Sequence, residues 1–415
     1  MTSQFYLNGF PEVLAPAGDR ERLEAAVKFG ADAVYLGGKL HNMRAGTQSF
    51  DMAQLRDAVK YAHDRHVRVF FTMNTLPRNS EIPELYTYIR DVADCGVDAF
   101  IVADIGIMLA IKKIAPEVEI HISTQAGVTN YMTANELHRL GANRVVLARE
   151  LPLEDIKTLR KNISKELEIE VFVHGAMCMS FSGRCLISQY MTGRDSNRGE
   201  CAQPCRWSYH LMEEKRPGQF FPVFEDERGT YIMNAKDMCL IEDIDKLVDA
   251  GVTSLKIEGR AKSAYYVAVV ANAYRNAVDL YHKDPENYKL PKWILDETRK
   301  VSHRDYTKGF LYGRPDDGQC YENGGYIRNW DVVAIADRTE NGKLWVSQKN
   351  RFFEGDTIEI LPPKSQPIEI KVSNLVDENG EKIEVANKAT MMCAFDCDMD
   401  IPNGSILRKQ SDTLN

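Results

Sequence analysis

The sequence predicts an α/β fold: a (β/α)8 TIM-like barrel followed by a small C-terminal β-barrel domain. A recurring phrase, in which a helix ends at glycine and an apolar strand follows, predicts alternating helices and strands. About eight such strands precede residue 260, which favours a closed parallel barrel over an open doubly wound sheet. The pattern then changes to short alternating strands. A chain of 415 residues that is 44% hydrophobic can support one large core and a smaller one.

The repeat is the main support for the barrel. Each copy begins in an amphipathic stretch whose apolar residues recur at three and four positions, which is typical of a helix packed on a sheet. A glycine ends the helix, and a short polar link leads into an apolar strand. The copies are FGADAVYLGG (29–38), CGVDAFIVAD (95–104), LGANRVVLAR (140–149) and AGVTSLKIEG (250–259).

Further strands fit between these copies, at EVLAPAG (12–18), VRVFFTMN (67–74), EIHIST (119–124) and LEIEVFVHG (167–175). Neither GxGxxG nor GxxxxGK[ST] follows the first strand, so the usual nucleotide-binding motifs lack support there. We therefore expect function in the loops after the strands, where the active sites of this barrel fold lie.

A change of pattern after the long helix SAYYVAVVANAYRNAVDLY marks the end of the barrel. We place the barrel at 1–312, a cysteine-rich insert within it at 175–207, a linker at 313–330 and the second domain at 331–415. In the second domain, the links ENGK and ENGE put Asn-Gly where a tight hairpin turn needs residues that accept positive φ. These hairpins indicate the small β-barrel.

Composition indicates the cellular setting. The first residues lack the basic region and apolar run of a secretory signal, and no stretch approaches the roughly 18 to 20 apolar residues of a membrane span. We therefore expect a cytoplasmic protein with no membrane contact. Its 9 cysteines are then poor candidates for structural disulfides, because cytosolic thiols are kept reduced. The net charge of -8 argues against broad nucleic-acid binding but allows a local basic patch.

Cations and hydrogen-bonding groups follow the predicted strands and should gather on one face of the barrel. Such a face suits a small anionic organic ligand whose carboxylates are held by arginine and lysine. The alternative for each residue is a salt bridge or a helix cap. The residues assigned to this site are Arg44, Asn74, Gln125 and Arg149 for binding, and His174, Lys256, Glu258 and Arg260 for catalysis.

The phrase KIEGRAKS is the most informative of these strand ends. Lys256 and Glu258 lie on the same side of a strand, which has a period of two, and Arg260 follows at the turn into the next helix. A charged pair inside a parallel barrel strand is costly without a partner or a ligand. Either a mutual ion pair or a bound ligand would account for it.

Four cysteines crowd the segment that follows the seventh strand. Cys178, Cys185, Cys201 and Cys205 are separated by 6, 15 and 3 residues, without the paired CxxC of a zinc ribbon. Soft thiolates on a long loop suit zinc or an iron–sulfur cluster, and buried thiols without a metal are the alternative. Cys239, on the apolar face of a predicted helix, is a fifth candidate.

Several long phrases of the chain point to one family. They are LAPAGDRERLEAAVKFGADAVYLGG, VFVHGAMCMSFSGRCLIS, GECAQPCRW, NAKDMCLI, SLKIEGRAKSAYYVA and VSHRDYTKGF. Together they resemble the collagenase-like peptidases, family thirty-two of the unknown-mechanism class. The resemblance runs from about Glu12 to Tyr312.

The resemblance implies an activity other than proteolysis. Members similar in length and tail are implicated in prephenate-dependent hydroxylation of tRNA wobble uridine at C5, which gives 5-hydroxyuridine. Related proteins carry [4Fe-4S] clusters on cysteines of this region. By that resemblance Cys178, Cys185, Cys201 and Cys205 become cluster ligands, with Cys239 as the alternative to Cys205. Prephenate becomes the co-substrate and the tRNA anticodon loop the partner, and a homo- or hetero-oligomer with a family member is a further expectation.

Two other functions stay open from the sequence: a peptidase, and a noncatalytic zinc-stabilised RNA-binding factor. Neither HExxH nor GxSxG appears, so neither a zincin nor a serine-hydrolase elbow supports the first. For RNA contact, the basic residues of the cysteine segment outnumber its acids and could form a phosphate-binding surface, unless they cap loop carbonyls. These residues are Arg184, Arg194, Arg198 and Arg206.

Overall fold

The structure is a computed structural model of the 415-residue chain. Its described residues include every strand and helix named below. They are 11–42, 49–177, 187–194, 200–202, 204, 224–226, 229–231, 236–313 and 326–411.

A closed barrel of eight parallel strands forms the first domain, which confirms the predicted fold. Each barrel strand pairs with the next one along the chain, and the eighth pairs with both the seventh and the first, which closes the sheet. The strands of this region, in chain order, are β1 (Glu12–Pro16), β2 (Ala33–Leu36), β3 (Arg68–Met73), β4 (Ala99–Val102), β5 (Glu119–Ile122), β6 (Arg144–Val146), β7 (Glu168–Ala176), β8 (Phe224–Asp226), β9 (Gly229–Tyr231), β10 (Asp237–Cys239), β11 (Ser254–Ile257) and β12 (Tyr306–Thr307). The barrel consists of β1 to β7 and β11.

Helices cover the outside of the barrel, and side-chain caps begin several of them. Asp19, Asp104, Asn130 and Ser263 each accept a backbone N–H of the first turn. Gly141 has a φ of 119°, in the left-handed region that a helix-ending glycine provides. Within the described residues, no helix combines the length and the apolar character that spanning a bilayer requires. The helices are α1 (Arg20–Lys28), α2 (Met52–His63), α3 (Ile82–Ala93), α4 (Ile105–Ile114), α5 (Tyr131–Leu140), α6 (Leu153–Lys161), α7 (Ile187–Thr192), α8 (Ile244–Asp249), α9 (Ala264–Lys283) and α10 (Lys292–Thr298).

Extra strands interrupt the regular alternation after β7. The last residues of β7 pair with β10, which runs antiparallel, and β12 pairs in parallel with β10. β8 and β9 form a separate hairpin. His174, near the end of β7, therefore has two strand neighbours, Cys239 of β10 and Ile257 of β11. The register between β7 and β11 shifts between Lys256 and Ile257, so β7 carries one extra residue at this point.

The second domain is an antiparallel sheet domain with the form of a half-barrel, as the alternating pattern predicts. Its strands are β13 (Trp330–Glu340), β14 (Lys343–Gln348), β15 (Phe352–Phe353), β16 (Thr357–Leu361), β17 (Ile368–Lys371), β18 (Val376–Asp377), β19 (Val385–Ala386), β20 (Met392–Asp396) and β21 (Ile406–Gln410). The main sheet has the order β17-β16-β21-β13-β14-β20-β18, and β15 pairs with β19. The β13–β14 hairpin turns at Asn341 and Gly342, whose φ angles of 53° and 74° match the predicted Asn-Gly turn.

The two domains meet at a buried cluster of ion pairs. Arg408 of β21 is fully buried, and its Nη2 lies 2.5 Å from Glu297 of α10 and 2.8 Å from Glu359 of β16. Lys300 pairs with the same two carboxylates. Because removal of one partner of a buried pair leaves an uncompensated charge, this cluster holds the second domain against α10.

Candidate active site at the barrel mouth

Polar side chains from distant parts of the chain meet where the barrel strands end. Arg149 follows β6, and Glu258 and Arg260 follow β11. Asn42 comes after β2, and Thr72 lies near the end of β3. We call these five residues the mouth. They lie at the end of the barrel that carries the active site in this fold.

Arg260 is held firmly in the mouth. The residue is 4% exposed, and its Nη1 donates to Asn42 Oδ1 at 2.8 Å and to Thr72 Oγ1 at 3.0 Å. Two glycines leave the space for this arrangement. A Cβ atom on Gly37 would lie 2.5 Å from Thr72 Oγ1, and one on Gly18 would lie 2.5 Å from the Arg260 carbonyl oxygen. The glycines after β1 and β2 therefore serve the placement of Arg260.

Arg149 lies on the side of the mouth where the cysteine segment begins. Its Nη1 donates to the carbonyl oxygen of Ala176 at 2.7 Å, and its Nη2 lies 3.6 Å from Glu258 Oε2. The guanidinium also covers the Phe172 ring, 3.8 Å from the ring centroid. Glu258 thus pairs with Arg149 and not with Lys256, so the mutual Lys256–Glu258 ion pair considered from the sequence is wrong.

Lys256 lies one level below the mouth, inside the barrel. Its Nζ is 2.6 Å from Glu170 Oε1, and it lies 4.6 Å from the centroid of the Tyr35 ring. Glu170 is fully buried and also contacts Arg144 at 2.9 Å. Burial raises the pKa of the Glu170 carboxyl, but Lys256 and Arg144 outweigh burial and lower it to about 2. Lys256 therefore has a carboxylate partner within the barrel, and a ligand is not required to explain its burial.

Charged pairs also fill the opposite end of the barrel interior. They lie near the starts of the strands. In this fold, residues at that end of the barrel contribute to stability and not to catalysis. Burial and the nearby Arg144 lower the pKa of His121 to about 4, so this imidazole is neutral at physiological pH. The contacts are those of Arg144 with Glu12, Glu168 and Glu170, of Arg68 with Glu119, and of His121 with Glu119.

His174 lies in an aromatic cluster under α9. Its ring centroid is 5.7 Å from that of Tyr274 and 5.9 Å from that of Tyr266, both in α9, and 5.3 Å from that of Tyr306. Its Nε2 lies 3.3 Å from the Tyr306 hydroxyl, and no described residue hydrogen-bonds its Nδ1. Burial lowers the pKa of His174 to about 3, so the ring is neutral. The structure does not bring His174 to the mouth, because the extra residue in β7 directs its side chain toward α9.

The other predicted binding residues divide into two groups. Asn74, directly after β3, and Gln125, in the 3-10 turn after β5, are half-buried at the same end of the barrel as the mouth. Arg44 lies outside the described residues. The placement of Asn74 and Gln125 agrees with a ligand-binding face, while their roles stay predictions.

Of the predicted cluster ligands, Cys201 alone belongs to the described residues, and Cys178, Cys185 and Cys205 lie outside them. Cys201 is half-buried. The amide of its neighbour Ala202 donates to the buried Ser188 hydroxyl of α7 at 3.0 Å. This contact holds α7 beside the chain at Cys201.

Cys239, the alternative ligand, lies in strand β10, so the prediction of a helix at this position is wrong, and its side chain is buried between β7, α9 and α10. Burial raises the pKa of its thiol, which lies within hydrogen-bonding reach of Thr298 and Tyr274. A protonated, buried thiol is a poor metal ligand, so these contacts favour a packing role for Cys239. Among the described residues, no three potential metal-binding side chains form a group.

An apolar pocket opens beside Arg149. Its volume is about 20 Å³, which leaves room for little more than a water molecule and is far below the range of small-molecule sites. Arg149 and Lys308 are the cations in its wall, and Lys308 is paired with Glu242 and Asp243. Apolar side chains complete the wall, among them Phe172, Met238 and Phe310. Arg149 thus lines this pocket and also pairs with Glu258 in the mouth.

Sequence reasoning missed Asn42, Thr72, Glu170 and Phe172. Glu170 was detectable, since LEIEVFV alternates acidic and apolar residues with the period of a strand and so places its acids on one face. The amide and hydroxyl that hold Arg260 carry no such pattern. Single polar residues near strand ends are common, and only the closed barrel shows which of them meet.

The domain organisation agrees with two family models. The model for Peptidase family U32 matches residues 18–320, and the model for the Peptidase family U32 C-terminal domain matches residues 328–408. The boundary between the two matches falls in the segment that precedes β13.

Three relatives cover most of the chain. The tRNA hydroxylation protein P1 of Bacillus subtilis (strain 168) is 35% identical over 402 residues, which are 96% of this chain and 94% of that protein. The tRNA hydroxylation protein P of Escherichia coli (strain K12) is 34% identical over 418 residues, with 91% of each chain covered. The 23S rRNA 5-hydroxycytidine C2501 synthase of the same organism is 32% identical over 378 residues, which are 89% of this chain and 55% of that protein. With both domain models matched and these relatives covering it, the chain belongs to peptidase family U32.

Proposed function

We propose that this protein is a tRNA hydroxylase that adds a hydroxyl group to C5 of the wobble uridine. The observation that carries the proposal is the similarity over 96% of the chain to tRNA hydroxylation protein P1 of Bacillus subtilis. A match of that length includes the barrel with its mouth and the second domain. The similarity therefore covers both the barrel that carries the candidate active site and the C-terminal domain.

Uridine C5 is supported as the target by the name of another relative. A 5-hydroxycytidine synthase places its hydroxyl group on C5 of a pyrimidine, and uridine has the same C5–C6 double bond. An anticodon loop presents unstacked bases, which is the form in which proteins read RNA most readily. A wobble uridine can therefore enter the mouth without the cost of breaking a stacked duplex.

Prephenate as co-substrate is supported by the charges of the mouth. Prephenate is a dicarboxylate, and guanidinium groups bind carboxylates through paired hydrogen bonds. We assign carboxylate binding to Arg149 and Arg260. Lys256 lies below the mouth and contacts Glu170 and the Tyr35 ring. We assign it a positioning role and no contact with prephenate.

Glu258 is the proposed proton acceptor. With water as the oxygen source, replacement of the C5–H bond of uridine by C5–OH would release two protons and two electrons, and the proposed [4Fe-4S] cluster would carry the electrons to an external acceptor. Glu258 is the carboxylate that lies in the mouth, 3.6 Å from Arg149, and would accept a proton there. The Arg149 guanidinium keeps this carboxylate oriented at the strand end. General-base catalysis of this kind requires a carboxylate within hydrogen-bond reach of the reacting base.

A [4Fe-4S] cluster is the proposed cofactor, held by Cys178, Cys185, Cys201 and Cys205, with zinc as the alternative metal. Four thiolates in one segment suit such a cluster, which supplies electron transfer when bound. The contact between Ser188 and Ala202 supports shared ligation by the cysteines that neighbour them. The segment leaves β7 at Ala176, whose carbonyl oxygen is bound by Arg149, so the cofactor segment begins beside the mouth.

The test is mass spectrometry of tRNA nucleosides from cells that lack the gene and any second route to 5-hydroxyuridine. Wobble 5-hydroxyuridine and its derivatives should be lost, and should return with the intact gene but not with a Cys185→Ala or Cys201→Ala copy. Cys95→Ala is the matched control, because Cys95 is a buried thiol two residues after α3 that donates to the Asp91 carbonyl oxygen. Unchanged modification in the deletion strain would contradict the proposal.

Proteolysis is the activity that the family name suggests, and no described contact favours it. The buried histidines His121, His174 and His303 contact a glutamate, a tyrosine and a backbone carbonyl group, respectively. A nucleophile–base pair would instead place a serine or cysteine against the imidazole. We expect the pure protein to leave gelatin intact.

A further inference from the structure

A cluster of cations joins the barrel to the segment that leads into the second domain. Lys262, two residues after Arg260, donates from Nζ to the Ser302 carbonyl oxygen at 3.2 Å. Arg328 donates from Nε to the hydroxyl of the same serine at 3.1 Å. The Lys262 ammonium also lies 4.2 Å from the centroid of the Tyr326 ring. We call Lys262, Ser302, Tyr326 and Arg328 the seam.

Among the described residues, no carboxylate forms an ion pair with Lys262 or Arg328, and their contacts are neutral oxygens and a ring. Both reach Ser302, so the two charges lie within a Debye length of about 10 Å at 0.1 M salt and repel each other. Arg304, which is buried, also lies 4.8 Å from the centroid of the Tyr326 ring. Cations held this close together stabilise a bound anion.

The seam borders the mouth. Arg260 points into the mouth, where it contacts Asn42 and Thr72, whereas Lys262 stays at the rim. Arg328 is exposed and lies two residues before β13, the first strand of the second domain. An anionic polymer bound along the seam would therefore contact the barrel and the segment that leads into the second domain, with the mouth beside it.

We propose that the seam binds the phosphodiester backbone of the RNA substrate and so aligns the target base with the mouth. The proposal rests on the proposed function, in which RNA is the substrate. A polymer fits the seam better than a small anion does, because Arg328 is exposed and Tyr326 half-buried, and the cations come from two separate parts of the chain. Cations interleaved with an aromatic ring are the combination with which proteins bind single-stranded nucleic acid.

The test is the salt dependence of tRNA binding by the Lys262→Gln/Arg328→Gln double variant of the full chain. Loss of two phosphate contacts should lower the slope of log affinity against log salt by about 1.4 to 1.8, and affinity at about 0.1 M salt should fall about tenfold to a hundredfold. The matched control is Lys161→Gln/Lys165→Gln, which removes the same charge from exposed lysines at the end of α6 and in the loop that follows, at the other end of the barrel. The control should bind tRNA as the wild type does.

The outcomes separate the seam from the proposed function. If the wild type binds tRNA and the double variant matches its affinity and slope, the seam proposal is overturned and the proposed function stands. A double variant that loses affinity for prephenate but not for tRNA overturns it too, because the cations would then serve the small-anion site. If the wild type binds no tRNA, both proposals fail. Lys262→Arg keeps the positive charge and should bind tRNA with wild-type affinity. That result would show that loss of charge, and not a folding defect at this position, lowers the tRNA affinity of the double variant.

Discussion

Replacement of Lys256 by methionine separates a structural role of this lysine from a ligand-binding one. Lys256 is 4% exposed, and its ammonium lies 2.6 Å from a carboxylate oxygen of Glu170, which is fully buried. Methionine keeps the apolar stem and removes the charge. The variant therefore leaves Glu170 with one cation, Arg144 at 2.9 Å, in place of two.

The expected loss follows from the burial of this pair. Removal of one partner of a buried ion pair costs about 3 to 5 kcal/mol, because the remaining charge is no longer compensated. Since Arg144 still compensates Glu170 in part, we expect the lower end, a fall of about 3 kcal/mol in the free energy of unfolding. Loss of the contact with the Tyr35 ring acts in the same direction.

The assay is urea unfolding at pH 7, followed by circular dichroism and tryptophan fluorescence. Lys161→Met, at an exposed position, is the matched control and should stay within about 0.5 kcal/mol of the wild type. The Lys256→Met/Glu170→Gln double variant should lose less stability than the sum of the two single variants, by about 0.5 to 3 kcal/mol. A loss below about 1 kcal/mol in Lys256→Met, combined with a tenfold weaker affinity for prephenate, would refute this reasoning and return Lys256 to the ligand site.

Three further predictions concern pH, the anion site and the cofactor. The pKa values of His121 and His174 are lowered to about 4 and about 3, mainly by burial, so between pH 6.5 and pH 5 the unfolded chain binds protons that the folded chain does not. The free energy of unfolding should therefore fall by up to about 1.4 kcal/mol per pH unit for each histidine, and an unchanged pH slope in His174→Phe would contradict this for His174. Arg260→Gln should weaken prephenate binding about tenfold to a hundredfold in calorimetry without loss of the cluster absorbance, and equal affinity would assign Arg260 to the fold alone. Anaerobically purified wild-type protein should show broad absorbance near roughly 400 nm that Cys201→Ala lacks; a colourless zinc-containing wild type would favour the alternative metal.

The barrel could be predicted from the sequence because its signals are local. A helix-ending glycine such as Gly141 and a capping side chain such as Asp19 act within one turn of the helix. Each helix–strand repeat can therefore be recognised from a short stretch of sequence. The order of parallel strands then follows from chain order. The Asn341–Gly342 hairpin was likewise predictable, because the positive φ angles belong to those two residues alone.

The contacts of the candidate site could not be predicted, because they join residues far apart in the chain. Lys256 and Glu170 are 86 positions apart, and Arg260 lies 218 positions from Asn42. These pairs depend on the closure of the barrel through β11, which no local pattern encodes. The strand period placed Lys256 and Glu258 on one face but did not reveal that Glu170 and Arg149 are their separate partners.

The direction of the His174 side chain could not be predicted for another reason, which is an irregularity in the pairing of β7 with β11. His174 was expected at the barrel mouth because it ends an apolar strand on the face that carries the active site in this fold. In a regular strand its side chain would point into the barrel, since side chains alternate. The register shift between β7 and β11 adds one residue to β7 and reverses this alternation from His174 onward. A bulge of this kind depends on the pairing of both strands and leaves no signal in the sequence of either.

The most direct measurement is hydroxylation by the purified protein itself. Anaerobically prepared protein would be incubated with unmodified tRNA, with and without prephenate, and the tRNA nucleosides would be analysed by mass spectrometry. We predict one added oxygen atom on the wobble uridine, dependent on prephenate and absent with Cys185→Ala. Unmodified tRNA under all conditions, together with cleavage of gelatin by the same preparation, would contradict the hydroxylase assignment and support a peptidase.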